Sequence, residues 1–465
     1  MKLPKSLLMI AVALSGATAT AADLQPHQQL ARDIYEDLVE INTTQSVGDT
    51  AQATQAMAAR LRDAGFAEND TRVFETAAKR ANLVARLRGS GARRPLLLLG
   101  HIDVVEANRE DWTTDPFELV EKNGYFYGRG SADDKYMSAV YIANLIRYKQ
   151  EGYRPDRDII VALTTDEEIS DRHHYGIRWL IENQRALIDA EFALNEGIGV
   201  GVKEGKTVYV GLQTTEKVFQ NYWLEVRNKG GHSSLPSKDN AIYRLSEGLG
   251  RLARFDFPVM LNETTRAYLE RMAAMESGQL ATDMKAVAQP NPDPAAIARL
   301  SEKPSYNAQL RTTCVATRLE GGHADNALPQ LARALINCRA LPGHSLDEVQ
   351  RTLERVVADD QIRVVFDERD TESAPSPLNA DLMRTIETLS TEFWPGVPLV
   401  PMMSAGATYG RFLRNVGIPT YGHSGLASDI FDNRAHGRDE RVAVESFFKG
   451  QEYLYRLVKM LAGGD

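Results

Sequence analysis

The chain has 465 residues, with 63 acidic and 54 basic side chains and a net charge of −9. This acidic balance, without a basic stripe in the sequence, argues against nucleic acid or an anionic membrane as the main partner. Because single hydrophobic cores stop growing at roughly 250–300 residues, two domains are expected.

The first 22 residues have the order of a secretory signal peptide. Two lysines precede a short apolar core over 7–14, and small residues follow up to Ala22. This apolar run is too short to span a membrane. We therefore predict an exported protein, periplasmic or secreted, without membrane association once the signal is removed. Export would permit a disulfide between the two cysteines, Cys314 and Cys338, but the sequence leaves that pairing open.

Two helices and a strand open the mature chain. Apolar residues recur at helical spacing over 30–41. A second helix follows, between a possible N-cap, Asp49, and a glycine stop, Gly65. Residues 82–87 then have the pattern of a strand.

The stretch 94–135 looks like half of a metal site. An unbroken apolar run, 96–99, has the length of a strand buried on both faces, and it leads into His101 and Asp103. A glycine-flanked turn then brings Asp133 ahead of a helical pattern. An imidazole and a carboxylate thus arrive from separate strand ends or turns, although His101 alone could equally be a satisfied core histidine.

Two later strands also end in acidic residues. The run 159–163 leads to Glu167 and Glu168, and the run 192–194 leads to Glu196. Apolar strands that end in imidazole or carboxylate, with helical segments between them, predict an α/β domain with a mostly parallel sheet and ligands at one edge. Such mixed nitrogen and oxygen ligands suit zinc, with two ions about 3.5–4 Å apart if a carboxylate bridges them. Because adjacent side chains point apart, one glutamate of the pair can bind metal while the other accepts a proton.

The pattern changes after residue 212 and indicates a smaller second domain. Its elements have the order βαββαβ of a ferredoxin-like arrangement, with strands or helices at 219–226, 240–252, 310–317, 331–338, 346–357 and 362–366. The polar stretch 255–305 is expected to be a helical insertion with loops. A final helix at 442–461 returns to the first domain. We predict domain segments at 23–213, 214–371 and 372–465, so that the second domain interrupts the first.

Eight motifs together carry a resemblance to a known family. They are GHIDVV at 100–105, GRGSADDK at 128–135, TTDEE at 164–168, NEG at 195–197, GGHSSLP at 230–236, NALP at 326–329, CRALPG at 338–343 and RAHGRDE at 434–440. In this order they resemble the di-zinc aminoacylases and carboxypeptidases, which include Gly-Xaa carboxypeptidase, glutamate carboxypeptidase and succinyl-diaminopimelate desuccinylase. The resemblance covers nearly all of the mature chain. It implies a zinc-exopeptidase-like catalytic domain interrupted by a lid domain that forms a homodimer.

The resemblance implies a site with two zinc ions per subunit. His101 and Glu196 would hold one ion, Glu168 and His436 would hold the other, and Asp133 would bridge them. His423 also follows an apolar strand and is the rival of His436, which we prefer because its HGRDE context matches the family. The family also leads us to expect a cis peptide after Asp133.

Further residues would act on the substrate or on the ligands. By the resemblance, Glu167 is the general base and Asp103 orients His101 from behind. Arg339 would bind the substrate carboxylate in two-point geometry, and Asn326 would also contact the substrate. His232 would reach across the dimer and stabilise the oxyanion in the partner's site.

Two local features stand apart from this pattern. His173 and His174 follow the glutamate pair and are expected on the solvated surface. Tyr409 stands where an aspartate is common in the family's glycine-threonine loop, and this departure bears on the shape of the pocket floor.

We interpret the chain as an exported zinc-dependent amidohydrolase that releases a C-terminal amino acid from a small peptide or an N-acyl-amino acid. The first alternative is a deacylase dedicated to one metabolic substrate. The second is a metal-binding or peptide-binding protein without catalysis, which would have no need of Glu167.

Overall fold

The computed structural model describes residues 24–169 and 175–465. The predicted signal peptide, 1–22, lies outside the described residues, and so do His173 and His174. Within the described ranges, none of the helices combines the length and the apolar character needed to cross a bilayer.

The first part of the chain forms most of a large sheet and the helices on its two faces. Its elements are α1 (Pro26–Glu40), α2 (Thr50–Asp63), β1 (Thr71–Ala77), β2 (Arg80–Leu87), β3 (Leu96–His101), β4 (Val120–Lys122), β5 (Tyr125–Tyr127), α3 (Lys135–Gln150), β6 (Ile159–Thr164), α4 (Ile177–Asn183), β7 (Phe192–Asn195), β8 (Val200–Lys203) and β9 (Lys206–Glu216). Asp49 caps α2 as predicted, because its side chain accepts a hydrogen bond from the main-chain N–H of Gln52 at 2.9 Å.

The middle of the chain forms a separate four-stranded sheet with an insertion of helices. Its elements are β10 (Val218–Arg227), β11 (Gly231–His232), α5 (Ala241–Leu252), α6 (Glu263–Met275), α7 (Gly278–Val287), α8 (Pro294–Ser301), α9 (Pro304–Leu310), β12 (Thr313–Gly321), β13 (Ala327–Leu328), β14 (Leu331–Ala340), α10 (Leu346–Val357) and β15 (Ile362–Glu368). The last part returns to the large sheet with α11 (Ala380–Phe393), β16 (Leu399–Ser404), α12 (Gly410–Asn415), β17 (Thr420–Gly422), β18 (Ala427–Asp429), β19 (Arg441–Ala443) and α13 (Val444–Ala462).

The large sheet is mixed, and its central strands run parallel. The strand order is β1-β2-β6-β3-β7-β17-β9-β8-β18, with β16 paired to β9. Strands β6, β3, β7 and β17 are mutually parallel, and the register places His101 opposite Thr164. Because parallel neighbours end at the same edge, the residues that follow β3, β6 and β7 come together there. The predicted α/β fold with a mostly parallel sheet is confirmed.

Strand β3 is buried on both faces, as its unbroken apolar run predicts. Leu96 and Leu98 face the cluster formed with α1, α3 and α13, whereas Leu97 and Leu99 face the cluster formed with α4 and α12. This alternation follows from the two-residue period of a strand. Helices therefore cover the sheet on both sides and leave its carboxyl edge for the site.

The four-stranded sheet has the ferredoxin-like order that the βαββαβ pattern predicts. Its strand order is β12-β14-β10-β15 and all its neighbours are antiparallel. Helices α5 and α10 pack on it around a cluster that includes Leu245 and Leu353. We call this unit the lid, defined as β10 to β15 without the helices α6 to α9.

The helical insertion α6 to α9 has its own apolar centre. Leu269, Met284, Leu300 and Leu310 are buried together. The predicted strand at 310–317 was therefore wrong at its start, since Leu310 ends α9 and packs in this centre, and β12 begins only at Thr313. Apolar residues alone did not distinguish the last helical turn from the first residues of the strand.

The structure also decides the cysteine pairing that the sequence left open. Cys314 and Cys338 form a disulfide between β12 and β14. The two residues are direct partners in the strand register. The disulfide thus links the edge strand of the lid to its neighbour, one residue before Arg339.

Candidate active site

Five potential metal ligands converge at the carboxyl edge of the large sheet. His101 ends β3, and Glu168 and Glu196 follow β6 and β7. Asp133 lies in the turn before α3, and His436 lies in the loop between β18 and β19. The peptide between residues 133 and 134 is cis, as expected from the family resemblance.

The carboxylate of Asp133 stands between the two imidazoles. Its Oδ1 lies 3.1 Å from Nε2 of His101, and its Oδ2 lies 3.3 Å from Nε2 of His436. Nε2 of His101 is also 3.5 Å from Oε2 of Glu196, and Nε2 of His436 is 2.7 Å from Oε1 of Glu168. Each imidazole therefore faces one oxygen of Asp133 and one glutamate, which gives two adjacent sets of nitrogen and oxygen donors.

Two groups of acidic and imidazole side chains, which share His101, are each compact enough to hold a metal ion. Atoms of His101, Glu167 and Glu196 lie within 4.8 Å of one another, and so do atoms of His101, Asp133 and Glu168. Distances of this size allow one ion to reach every donor of a set, and mixed imidazole and carboxylate donors are those that zinc binds. The distances alone do not separate Glu167 from the ligands, because it belongs to the first set.

The electrostatics of the cluster also favour a cation. Burial raises the pKa of Glu167 well above its ordinary value, and the nearby Glu196 carboxylate adds to this effect. Burial likewise raises the pKa of Glu196. Hydrogen bonds with Asp133 and Glu168 raise the pKa of His436 to about 10. A divalent cation stabilises the charged forms of carboxylates that are crowded in this way.

Asp103 supports His101 through its main chain. Nδ1 of His101 lies 3.0 Å from the carbonyl oxygen of Asp103, whereas the nearest carboxylate oxygen of Asp103 is 3.7 Å away. Because a carbonyl only accepts, Nδ1 carries the proton, and this leaves Nε2 as the nitrogen for a metal. The carboxylate of Asp103 instead accepts from the main-chain N–H of Glu168 at 2.9 Å. Asp103 thus contacts His101 through its carbonyl and Glu168 through its carboxylate, so it supports one residue in each of the two donor sets.

Glu440 fixes the turn that presents Asp133, and the sequence analysis missed this role. Its buried carboxylate accepts hydrogen bonds from the guanidinium of Arg129 at 2.6 Å and from the main-chain N–H groups of Gly130, Ala132 and Asp133 at 2.7–3.1 Å. The signal that could have revealed it is its place at the end of the RAHGRDE motif. Its partner Arg129 lies 311 positions earlier in the chain.

The structure separates the two candidate histidines. His423 is fully buried, with Nδ1 2.7 Å from the carbonyl oxygen of Gly211 and Nε2 2.8 Å from the hydroxyl of Tyr453. Burial lowers its pKa to about 4. Both of its nitrogens are thus engaged in the interior, whereas His436 contacts the carboxylates of the site.

The site opens into a cavity of about 1050 Å³. Four arginines line it, namely Arg339, Arg411, Arg434 and Arg441. Arg339 extends from the lid, with its guanidinium carbon 4.8 Å from the centre of the Phe219 ring, and Arg411 pairs with Asp370 at 3.2 Å. The other lining residues are mostly small or apolar, and they include Ile198, Val200, Val202, Tyr209, Leu426 and Ile430. Four of the five candidate ligands, Asp133, Glu168, Glu196 and His436, line this cavity together with Glu167. His101 is buried and contacts Asp133 and Glu196.

His232 and Asn326 lie close together, but not at this cavity. His232 belongs to the two-stranded ribbon of β11 and β13, and Asn326 directly precedes β13. The main-chain N–H of Ser233 donates to the carbonyl of Asn326 at 2.9 Å and joins the two segments. Both His232 and Asn326 are exposed, and neither lines the cavity of its own chain. The structure therefore brings Glu167, Arg339 and four of the predicted metal ligands to one cavity, with His101 in contact with two of those ligands, and it leaves His232 and Asn326 on the lid surface.

Comparisons with known proteins agree with this architecture. A sequence profile of peptidase family M20/M25/M40 matches residues 97–460. The chain is 30% identical over 380 residues to the N-fatty-acyl-amino acid synthase/hydrolase PM20D1 of Xenopus tropicalis, covering 78% of this chain and 72% of that protein. It is 26% identical over 386 residues to aminoacylase-1 of Mus musculus, covering 79% of this chain and 80% of that protein.

A solved structure has the same fold. The M20 family metallo-carboxypeptidase Sso-CP2 from Sulfolobus solfataricus matches with a TM-score of 0.69 at 16% identity, covering 94% of this chain and 99% of that one. The match includes both the large sheet and the lid, since it extends over nearly the whole of each chain.

Proposed function

Because this chain belongs to peptidase family M20/M25/M40, we propose that it hydrolyses the amide bond preceding a C-terminal amino acid in a small peptide or an N-acyl-amino acid. The observation that carries this proposal is the Asp133 carboxylate, which faces two imidazoles in a cavity that also contains a guanidinium. Such a cavity combines donors for metal ions with a group that binds a carboxylate.

The proposed cofactor is a pair of zinc ions in each subunit. His101 and Glu196 would hold one ion, Glu168 and His436 the other, and Asp133 both. Bound zinc lowers the pKa of water to about 7 and polarises a carbonyl group, which is the chemistry that amide hydrolysis needs. Glu167 would accept the proton of the attacking water and pass it to the leaving amine.

Arg339 would fix the substrate by its free carboxylate. Its guanidinium lines the cavity, and its hydrogen bond to the carbonyl oxygen of Ala405 is long, at 3.4 Å. Because this contact is weak, the Arg339 guanidinium can turn towards a substrate carboxylate and donate two parallel hydrogen bonds to it. Lysine cannot reproduce this two-point geometry. This contact would select substrates with a free C-terminus.

The apolar lining favours an N-acyl-amino acid over a polar peptide, so a dedicated N-deacylase is the second candidate. Ile198, Val200 and Leu426 are among the apolar residues that line the cavity. An apolar surface binds an acyl chain or an apolar side chain by removing it from water. The similar protein from Xenopus tropicalis is named for N-fatty-acyl-amino acids, which supports this candidate.

We also propose an exported homodimer that pairs through the lid. The signal-peptide pattern supports export. Strand β12 is an edge strand, and its side chains Val315 and Leu319 are 59% and 69% exposed. On the adjacent helix α5, Tyr243 is 56% exposed. Exposed apolar side chains on an unpaired strand edge are typical of an interface between subunits.

The proposed function predicts metal-dependent release of amino acids. The purified mature protein should cleave Gly-Leu, N-acetyl-amino acids or long-chain N-acyl-amino acids, and removal of metal with a chelator should abolish the activity. Restoring zinc should restore it, with elemental analysis showing two ions per subunit. Activity that survives complete removal of metal would contradict the proposal. A zinc-loaded protein that cleaves none of these substrates would also contradict it. Relative rates for the three substrate types separate the two candidate functions.

Replacing Arg339 with lysine is expected to raise KM for free-acid substrates by about 10–100-fold, because loss of a two-point charged contact removes about 1.5–3 kcal/mol. The preference for free acids over the matching C-terminal amides should disappear. The control is Arg333→Lys on the same strand, whose guanidinium carbon lies 4.3 Å from the centre of the Trp223 ring. That variant should behave like the wild type. An unchanged preference in Arg339→Lys would rule out this role for Arg339.

A further inference from the structure

The buried hydroxyl of Tyr409 lies behind the two glutamates that follow β6. Tyr409 comes after the loop 405–408, three of whose residues line the cavity, and it precedes α12. Its ring packs in the apolar cluster between the sheet, α4 and α12. Its hydroxyl donates a hydrogen bond of 2.9 Å to the main-chain carbonyl of Thr165. The side chain therefore connects the cavity loop to the turn that carries Glu167 and Glu168.

This turn has a backbone conformation that needs support. Asp166 has φ +65°, in the left-handed region that residues other than glycine adopt infrequently. The Thr165 carbonyl belongs to the peptide group just before Asp166, so its direction is coupled to that φ. The direction of this carbonyl consequently determines how the chain continues to Glu167 and Glu168.

Neighbouring groups hold the turn on either side of this carbonyl. The main-chain N–H of Thr165 donates to Oδ1 of Asn82 at 3.1 Å, and the main-chain N–H of Glu168 donates to Oδ2 of Asp103 at 2.9 Å. Between these two N–H groups along the chain, the Tyr409 hydroxyl donates its hydrogen bond to the Thr165 carbonyl. Removal of this hydroxyl takes away the hydrogen bond that the Thr165 carbonyl accepts from Tyr409. The Asp166 carboxylate keeps its contacts with the Thr165 hydroxyl at 2.9 Å and with Arg80 at 3.6 Å.

Space around the carbonyl is small. A Cβ added to Gly176 would overlap the Thr165 carbonyl oxygen and would lie 2.7 Å from the Tyr409 hydroxyl oxygen. Burial, and then the carboxylates of Asp103 and Glu167, raise the pKa of Tyr409 well above its usual value. The phenol therefore keeps its proton and remains a donor to the carbonyl.

We propose that Tyr409 is a positioning residue that fixes Glu167 and Glu168 relative to the other donors by holding the Thr165 carbonyl. The inference rests on the proposed function, because it concerns the glutamates of the same site. A displacement of about 1 Å at a reacting group can lower a rate by about 10²-fold. The contact of Arg339 with the substrate carboxylate does not involve this turn, so substrate binding should change little.

The test is Tyr409→Phe, which keeps the buried ring and removes the hydroxyl. We expect kcat to fall about 10–100-fold, with KM within about twofold of the wild type. In competition with a chelator, the affinity for one of the two zinc ions should fall about tenfold, because Glu168 moves. The matched control is Tyr148→Phe, which removes another buried tyrosine hydroxyl that donates to a main-chain carbonyl, that of Tyr455 at 2.8 Å. The control should retain the kcat and zinc affinity of the wild type.

A second variant disturbs the same carbonyl from the opposite side. Gly176→Ala is expected to displace the Thr165 carbonyl and to lower kcat in the same way as Tyr409→Phe. Wild-type kcat and zinc affinity in Tyr409→Phe would overturn the proposal, as would an equal loss in Tyr148→Phe. If the wild type hydrolyses none of the substrates, the proposed function fails, while the zinc affinities of the variants still test the role of Tyr409.

Discussion

Replacing Glu167 with alanine is expected to lower kcat by about 10²–10⁴-fold while two zinc ions remain bound. Glu167 lines the cavity beside Glu168, which contacts His436 at 2.7 Å. If Glu167 accepts the proton of the attacking water and binds no metal, its removal stops the proton transfer and leaves the ligands in place. Burial raises the pKa of Glu167, and a higher pKa favours acceptance of the proton from the attacking water.

The measurement is kcat on a free-acid substrate together with elemental analysis of the same preparation. Glu168→Ala is the matched control, because it removes the adjacent carboxylate and should release one zinc ion. Loss of metal in Glu167→Ala, with metal kept in Glu168→Ala, would reverse the two roles. A defect smaller than about tenfold would show that Glu167 is not the general base.

Replacing His232 with alanine is expected to lower kcat by about 10²–10³-fold, the usual effect of losing one oxyanion donor, without any loss of zinc. His232 is exposed on the β11–β13 ribbon and does not line the cavity of its own chain. An imidazole at this place can act on the reaction only if it reaches a cavity in another subunit or if the lid moves. The control is His323→Ala, which removes another exposed histidine of the lid and should retain activity.

Subunit exchange distinguishes these two possibilities. Mixing His232→Ala with Glu167→Ala should restore activity to about one quarter of the wild type, since half of randomly formed twofold dimers are mixed and each has one complete site. Exchange proven by mass, without recovery of activity, would show that His232 does not act in the partner's site. Equal losses in His323→Ala and His232→Ala would mean that the ribbon rather than the imidazole is needed.

The sequence predicted the parts of this molecule that depend on local patterns. The apolar runs before His101, Glu167 and Glu196 are strands, and they end at one edge because parallel strands must. The order of the lid elements also follows from local periodicity. These features can be predicted from each segment by itself, because the general rules for α/β sheets then determine how the segments combine.

Other features depend on contacts between distant segments, which local patterns do not reveal. Glu440 reaches Arg129 across 311 positions, and Tyr409 reaches Thr165 across 244. The disulfide depends on a strand register that places Cys314 opposite Cys338. Local patterns likewise do not show that His232 lies outside the cavity of its own chain, which only the family resemblance led us to expect. Each of these facts required the packing of the whole fold.

The helical insertion has a mechanical consequence for the enzyme. It leaves the lid after α5 and returns to it at β12, yet its side chains contact the large sheet and its helices. Arg271 pairs with Glu387 of α11 at 2.6 Å, the amide of Gln309 donates to the carbonyl of Met403 at 3.0 Å, and Thr264 lies 2.6 Å from Thr214. The insertion thus acts as a brace between the lid and the large sheet. A rotation of the lid against the large sheet would break these contacts, so we expect substitutions in the insertion to change how readily the lid moves.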